Sequence, residues 1–336
     1  MSDLEDSVDR IAAETGFSGV VRVDWGDELQ LAKAYGLAHR CFEIANTIDT
    51  RFAIASGTKG LTALTVMSLI EEGKLTLTTT ARSVLGQDLP LIDDAVTVEQ
   101  LLAHRSGIGD FLDEEIERDP IDYVLPISAH QLGSTEDYLR VLGGFETKFP
   151  PDERFSYSNG GFVVLALDRR ARLWDTVPRT GAATRVRTRR HGGHGVPALG
   201  RAPGTDGARL PRRGRIEDER LPPAGPRERG RRHLHHRGGR QRPGTALFAG
   251  RIVSTDLVAE MVQPRSEVPS PTQPARYGLG IWLHPSRDLV ELHGSDAGVS
   301  FQTVHDPSER FTYTVRSNTT EGAWPIVLHL DELFAW

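Results

Sequence analysis

Leu61, Leu64, Val66, Met67, Leu69 and Ile70 crowd one short stretch, so a helix through them is apolar on most of its sides. Such a helix has to be buried, and the rest of the chain must therefore supply layers that cover it. Glu71-Glu72-Gly73 gives it a polar end and a glycine C-cap. It is entered through Arg51-Phe52-Ala53-Ile54-Ala55-Ser56-Gly57-Thr58-Lys59-Gly60. Residues three apart on a helix share a face, with Cβ atoms roughly 5–6 Å apart, so the Ser56 hydroxyl and the Lys59 amine can meet. A serine hydroxyl attacks a carbonyl only with a neighbouring base. A lysine is such a base when burial or a second cation lowers its pKa. Alone, the pair reads first as a helix N-cap region followed by a solvated lysine.

The 336 residues suffice for one large domain or two ordinary ones. The single cysteine, Cys41, excludes an intramolecular disulfide. Met1 to Asp6 is acidic and lacks the apolar core of a secretory signal. No apolar run is long enough to span a membrane. A cytoplasmic protein without membrane contact is the expectation.

Phe17–Trp25 and Leu29–Tyr35 read as a hairpin around Gly26-Asp27-Glu28. Thr97 to His104 reads as a helix with a Thr97/Gln100 capping box, and Ser134 to Leu142 as another. Beyond residue 246 a helix at Ser254–Met261 is followed by four strand-like runs, Tyr277–Leu283, Leu289–His293, Val299–His305 and Phe311–Ser317, then a helix from Trp324 to Trp336. Strands at both chain ends and helices between them predict an α/β (α+β) fold. Residues 1–75 and 246–336 would form an antiparallel sheet flanked by helices, and 76–168 a mostly helical lobe. A cleft between two lobes is the expected place for a site.

Three motifs carry a resemblance. Ser56-Gly57-Thr58-Lys59 opens the buried helix. Tyr157-Ser158-Asn159 lies about one hundred residues on, and His293-Gly294-Ser295 falls on an expected strand. The pattern resembles the serine β-lactamase-like superfamily of penicillin-binding proteins, class C β-lactamases and related esterases, and it covers nearly all of the chain outside residues 169–244. There a Ser-x-x-Lys, a Tyr-x-Asn and a Lys-Thr-Gly-like triplet surround the site. The stretch Thr97 to Gly107 also resembles the family's second helix. The resemblance implies that Ser56 forms an acyl-enzyme, that Lys59 takes its proton, and that Tyr157 relays protons to the leaving group. Asn159 would orient Lys59 or the substrate. His293 would stand where relatives have lysine, with Gly294 and Ser295 beside it. The backbone N–H groups of Ser56 and Asp296 would form the oxyanion hole. A histidine is largely neutral at pH 7, and Ser295 narrows the strand-side wall, so esterase-like chemistry on uncharged acyl groups is favoured. A β-lactamase or D-alanyl-D-alanine carboxypeptidase is the alternative within chemistry. The expected partner is a small ester, amide or lactam, with no cofactor.

Residues 169–244 differ in kind. They hold 21 Arg, no Lys and six Asp or Glu, against 19 basic and 40 acidic residues elsewhere. Trp174 is their one aromatic residue. Taken literally the segment cannot bury enough to fold. An arginine-rich arm suggests nucleic-acid binding, yet such arms usually mix in lysine. Back-translated and read one base later, with third bases chosen freely, Arg231–Pro243 becomes Gly-Gly-Ile-Tyr-Thr-Thr followed by a normal helical sequence. That leads smoothly into Ala246-Leu247-Phe248. Compensating single-base shifts near Asp168 and Gly244 are therefore expected, and no nucleic acid partner is. A basic-arm nucleic-acid binder or an inactive relative is the reading of another class. His233, His235 and His236 lie inside the shifted frame, so no metal site is expected.

Overall fold

The computed structural model describes residues 2–116, 124, 125, 127–167, 247, 248, 250–268 and 274–334. The arginine-rich segment and the proposed frame change lie outside the described residues.

Helix α1 (Ser2–Thr15) precedes the hairpin of β1 (Gly19–Trp25) and β2 (Glu28–Tyr35). A small hairpin, β3 (Leu37–His39) with β4 (Ile44–Ala45), follows. Among the described residues the main sheet has eight strands in the order β2-β1-β10-β9-β8-β7-β6-β5. Its later members are β5 (Ser266–Val268), β6 (Ala275–Tyr277), β7 (Trp282–Leu283), β8 (Val290–Asp296), β9 (Val299–Asp306) and β10 (Phe311–Ser317). Every pairing is antiparallel, and β10 lies against β1, so the sheet is closed from both chain ends.

Alternation along β1 and β10 buries Val21, Val23, Tyr313 and Val315 on one face. There they meet Val8 and Ala12 of α1 and Ile326, Val327 and Leu330 of the C-terminal helix (Trp324–Leu333). The other core gathers Ala63, Val66, Met67 and Leu69 of α2 (Thr58–Glu71). They pack with Leu101 and Leu102 of α4 (Val98–Leu102), Phe162 and Val164 of α6 (Asn159–Ala166), and Leu283 and Val290 of the sheet. Helix α2 is thus covered on most sides, with Leu61 left exposed. It ends as its sequence requires: Gly73 has φ +68°, its N–H bonds Ile70 O, and Lys74 N–H bonds Leu69 O. The capping box of Thr97 and Gln100 is formed in both directions.

Two elements differ from expectation. The run Tyr277–Leu283 is not one strand. Residues 278–281 leave the sheet, Leu279 N–H bonding Met261 O and Gly280 N–H bonding Leu102 O. Gly280 has φ +76° and a Cβ there would lie 2.3 Å from Ala63 Cβ, so only glycine lets this turn touch α2. The helix expected at Ser134–Leu142 begins as a 3₁₀ turn, Thr135–Tyr138, and becomes α-helical in α5 (Leu139–Leu142). The other α-helices among the described residues are α3 (Ala81–Leu85), α7 (Thr255–Met261) and α8, the C-terminal one.

Candidate active site

Ser56 sits in a 3₁₀ turn, Ala55–Gly57, that runs straight into α2. Its neighbour Ala55 holds φ +43°, a left-handed conformation that alanine rarely takes. The sheet explains how it is held. A Cβ on Gly294 of β8 would lie 2.4 Å from Ile54 O and 2.5 Å from Ser56 N, so the strand backbone is pressed directly onto the turn. One helical turn on, a Cβ on Gly60 would lie 2.5 Å from Leu292 Cδ2. Gly294 therefore faces Ser56, and Leu292 faces the next turn of the helix.

Lys59 is 8 % exposed. Its Nζ donates to Ser56 Oγ (3.1 Å) and to Asn159 Oδ1 (2.6 Å), and lies 4.7 Å from the centre of the Tyr157 ring. Burial lowers its pKa to about 8, while Glu114 and Asp110 pull it back up. Burial pushes the Tyr157 hydroxyl up, partly offset by a hydrogen bond with Ser56. The phenol thus stays protonated near neutral pH while the amine does not stay fully charged. Asn159 Nδ2 donates to Glu114 Oε1 (3.4 Å).

The loop that carries Tyr157 and Asn159 is fixed at Ser158. Its N–H donates to His104 Nδ1 (3.0 Å) and its Oγ to Asp110 Oδ2 (2.9 Å). The same Oγ accepts from Gly161 N–H (2.9 Å) and caps α6. Asp110 also accepts the Gly160 N–H (3.0 Å). Sequence reasoning assigned roles to neither His104 nor Asp110, although His104 closes the helix it read at Thr97–His104, which in the structure ends at Leu102.

On the sheet side, β7 pairs with β8 only at Val290 and Glu291, whereas β9 pairs with it through Asp296. Among the described residues the edge of β8 from Leu292 onward thus has no strand partner on that side, and it borders the Ser56 turn. His284 N–H bonds Leu289 O across the β7–β8 hairpin. In an antiparallel ladder the direction of N–H and C=O alternates, so His293 and Ser295 turn theirs to the open edge and Asp296 turns its own toward β9. The His293 ring stacks on Trp282 (4.9 Å, 23°), which stacks in turn on Tyr157 (6.0 Å, 20°). Burial, helped by Lys59, lowers the His293 pKa to about 4, so the ring is neutral at pH 7. The Asp296 side chain is exposed and accepts the Ala297 N–H (2.7 Å). Ser56, Lys59, Tyr157 and Asn159 are brought together, the His293–Ser295 stretch forms the opposite wall, and no metal-binding cluster occurs among the described residues.

A helix-borne serine–lysine pair, pressed on an open sheet edge and closed by a tyrosine loop, is the arrangement of a serine hydrolase of the penicillin-binding-protein type. The β-lactamase family model matches residues 4–329, and the chain belongs to that family. Protein flp of Staphylococcus aureus (strain MW2) is 28% identical over 144 residues, 41% of this chain and 26% of that protein. A D-aminopeptidase of Brucella anthropi is 31% identical over 153 residues, 45% of this chain and 27% of that protein. The matched stretches thus span about a quarter of these relatives' length. The fold is shared with a penicillin-binding protein from Bacillus halodurans (TM-score 0.67, 22% identity, 97% of this chain and 99% of that one). It is also shared with a D-amino acid amidase from Ochrobactrum anthropi SV3 (TM-score 0.61, 19% identity, all of both chains).

Proposed function

We propose that this protein hydrolyses small uncharged esters or amides through an acyl-enzyme on Ser56. The observation that carries the reading is the contact of a buried, pKa-lowered Lys59 with the Ser56 hydroxyl. Neutral Lys59 accepts the Ser56 proton as Oγ attacks the carbonyl. Tyr157, protonated and bonded to Ser56, passes a proton to the leaving oxygen or nitrogen and recovers one from Lys59, which becomes neutral again. Asn159 holds Lys59 at its Oδ1. Water then attacks the ester on Ser56 with Lys59 again as base, the acyl–Oγ bond breaks, and Lys59 returns the proton to Ser56 Oγ.

Two backbone donors flank Ser56. One is its own N–H, and the ladder direction of β8 favours that of Ser295, rather than Asp296, as the second. Such donors contribute about 2.7–4 kcal/mol each to the transition state. The glycine pressed on Ser56 is Gly294, so the triplet that matches Lys-Thr-Gly is Leu292-His293-Gly294. Leucine then stands at the lysine position, beside a neutral His293. Neither supplies a fixed cation for a carboxylate, which supports neutral acyl donors over β-lactams and D-alanyl peptides.

Turnover of p-nitrophenyl acetate against that of a cephalosporin tests this. The ester should be cleaved and the lactam not. The Leu292→Lys variant should gain acylation by the lactam at least tenfold, on the scale of one new ion pair in a partly buried site. Faster cephalosporin than ester cleavage by the unaltered chain would sink the preference. The D-aminopeptidase and D-amino acid amidase relatives support a second reading within the same mechanism, an amide of a small amino acid as substrate.

A further inference from the structure

We infer that His104 is a positioning residue of the proposed hydrolase: its imidazole, neutral and protonated on Nε2, holds the Ser158 amide and so sets Tyr157 and Asn159 against Ser56 and Lys59. The inference rests on the acyl-enzyme reading above.

The ring is 1% exposed. Nδ1 accepts the Ser158 N–H at 3.0 Å, which leaves the ring proton on Nε2. Nε2 has no hydrogen-bond partner among the described residues. The imidazole as a whole is surrounded by rings, with centroids at 4.3 Å for Tyr157, 4.8 Å for Tyr277, 5.0 Å for Phe162 and 5.7 Å for Phe155. A buried donor without an acceptor destabilises a fold, and a phenyl ring would fill this space without that defect. What phenylalanine cannot do is accept the Ser158 N–H.

The backbone points the same way. His104 has φ +56°, and its carbonyl accepts the Ser156 N–H at 2.8 Å. The residue thus grips the loop on both sides of Tyr157, at Ser156 with its backbone and at Ser158 with its ring. Asp110 grips the far side of Ser158. Loss of the imidazole alone therefore leaves the loop attached but frees Tyr157 to shift, and a displacement of about 1 Å is worth roughly 10²-fold in rate.

Protonation would break the arrangement, since a second ring proton has no acceptor and Ser158 N–H would lose its own. Of the ionisable groups around the ring, Tyr157 and Tyr277 are phenols whose burial pushes them up. Lys59 adds repulsion, and burial together with that charge holds the imidazole well below its usual range. No carboxylate pairs with Nε2 among the described residues.

Two variants separate the hydrogen bond from the packing. His104→Phe keeps a ring and loses the acceptor. His104→Asn loses the ring but keeps an acceptor near Nδ1, and asparagine tolerates a positive φ. We expect His104→Phe to lose kcat for p-nitrophenyl acetate at least tenfold per folded molecule, with KM changed less than threefold. The midpoint of its alkaline activity limb should move upward as Lys59 becomes wetter. His104→Asn should recover most of the loss. A phenylalanine variant within twofold of the parent, with an unmoved midpoint, overturns the inference. So does an asparagine variant that is no better than phenylalanine at equal stability. The ring ¹⁵N shifts of the unaltered protein provide a readout independent of turnover. They should report one neutral Nε2–H tautomer at and around neutral pH, since burial and Lys59 hold the imidazole well below its usual range. A titrating ring overturns the inference even if Ser56 proves inert, and inert Ser56 with the fixed tautomer would reject only the hydrolase reading.

Discussion

In the proposed mechanism Lys59 sets what Ser56 can do. Its ordinary pKa of 10.5 falls to about 8 because burial disfavours the ammonium. The base form therefore grows as pH rises, and kcat/KM for a neutral ester should climb through about pH 8 and level off above it. Lys59→Met should lower kcat by about 10²–10⁴-fold, the usual span of general-base catalysis. A pH profile without that limb would remove Lys59 from the role. Ser56, Lys59, Tyr157 and Asn159 were legible in the sequence because two short motifs carry them. His104, Asp110 and Leu292 were not. The first two act through the backbone about fifty residues away, and a histidine before Arg-Ser-Gly carries no sign of that. Leu292 escaped because an apolar strand residue is unremarkable until Gly294 is found against Ser56.

At the scale of elements, the contact between β8 and the Ser56 turn sets the geometry. Gly294→Ala would drive a methyl into Ile54 O and Ser56 N. Backbone on both sides leaves nothing flexible to yield, so activity should fall by at least roughly 10²-fold. Thermal melting and ester turnover check it, and a fully active Gly294→Ala would mean that the strand is not seated on the turn. The hairpins and caps followed from local rules, as Gly73 and Thr97 illustrate. Helix α1 was missed, although Leu4, Val8, Ile11 and Ala12 recur at helical spacing, because the acidic residues between them dominated the reading. The break between β6 and β7 depends on Gly280 meeting Ala63 of α2, a tertiary contact that no local pattern contains.

For the whole molecule, the closure of one sheet from both chain ends could be anticipated from sequential hairpins, whereas the strand order beyond β8 could not. Glu291 lies in that sheet near Asp331, with Tyr313 donating to Asp331 at 2.7 Å. Burial, and then Asp331, raise the Glu291 pKa from 4.5 to about 7. Its contribution to stability is fully present below about pH 4.5 and is lost as pH rises through 7, on the order of 3 kcal/mol. Glu291→Gln should flatten the fall in melting temperature across that window, and an unchanged pH dependence would contradict it. We also propose that residues 169–244 are out of frame. Resequencing across codons 165 to 248 should return a single open frame, and the restored protein should melt at a higher temperature. Reads identical to the present sequence would reject the shift. Mass spectrometry after treatment with a fluorophosphonate asks whether Ser56 is a lysine-activated nucleophile. One adduct should form, located on Ser56 and absent from Ser56→Ala. A folded protein that takes no adduct, or one whose adduct survives in Ser56→Ala, would contradict that role.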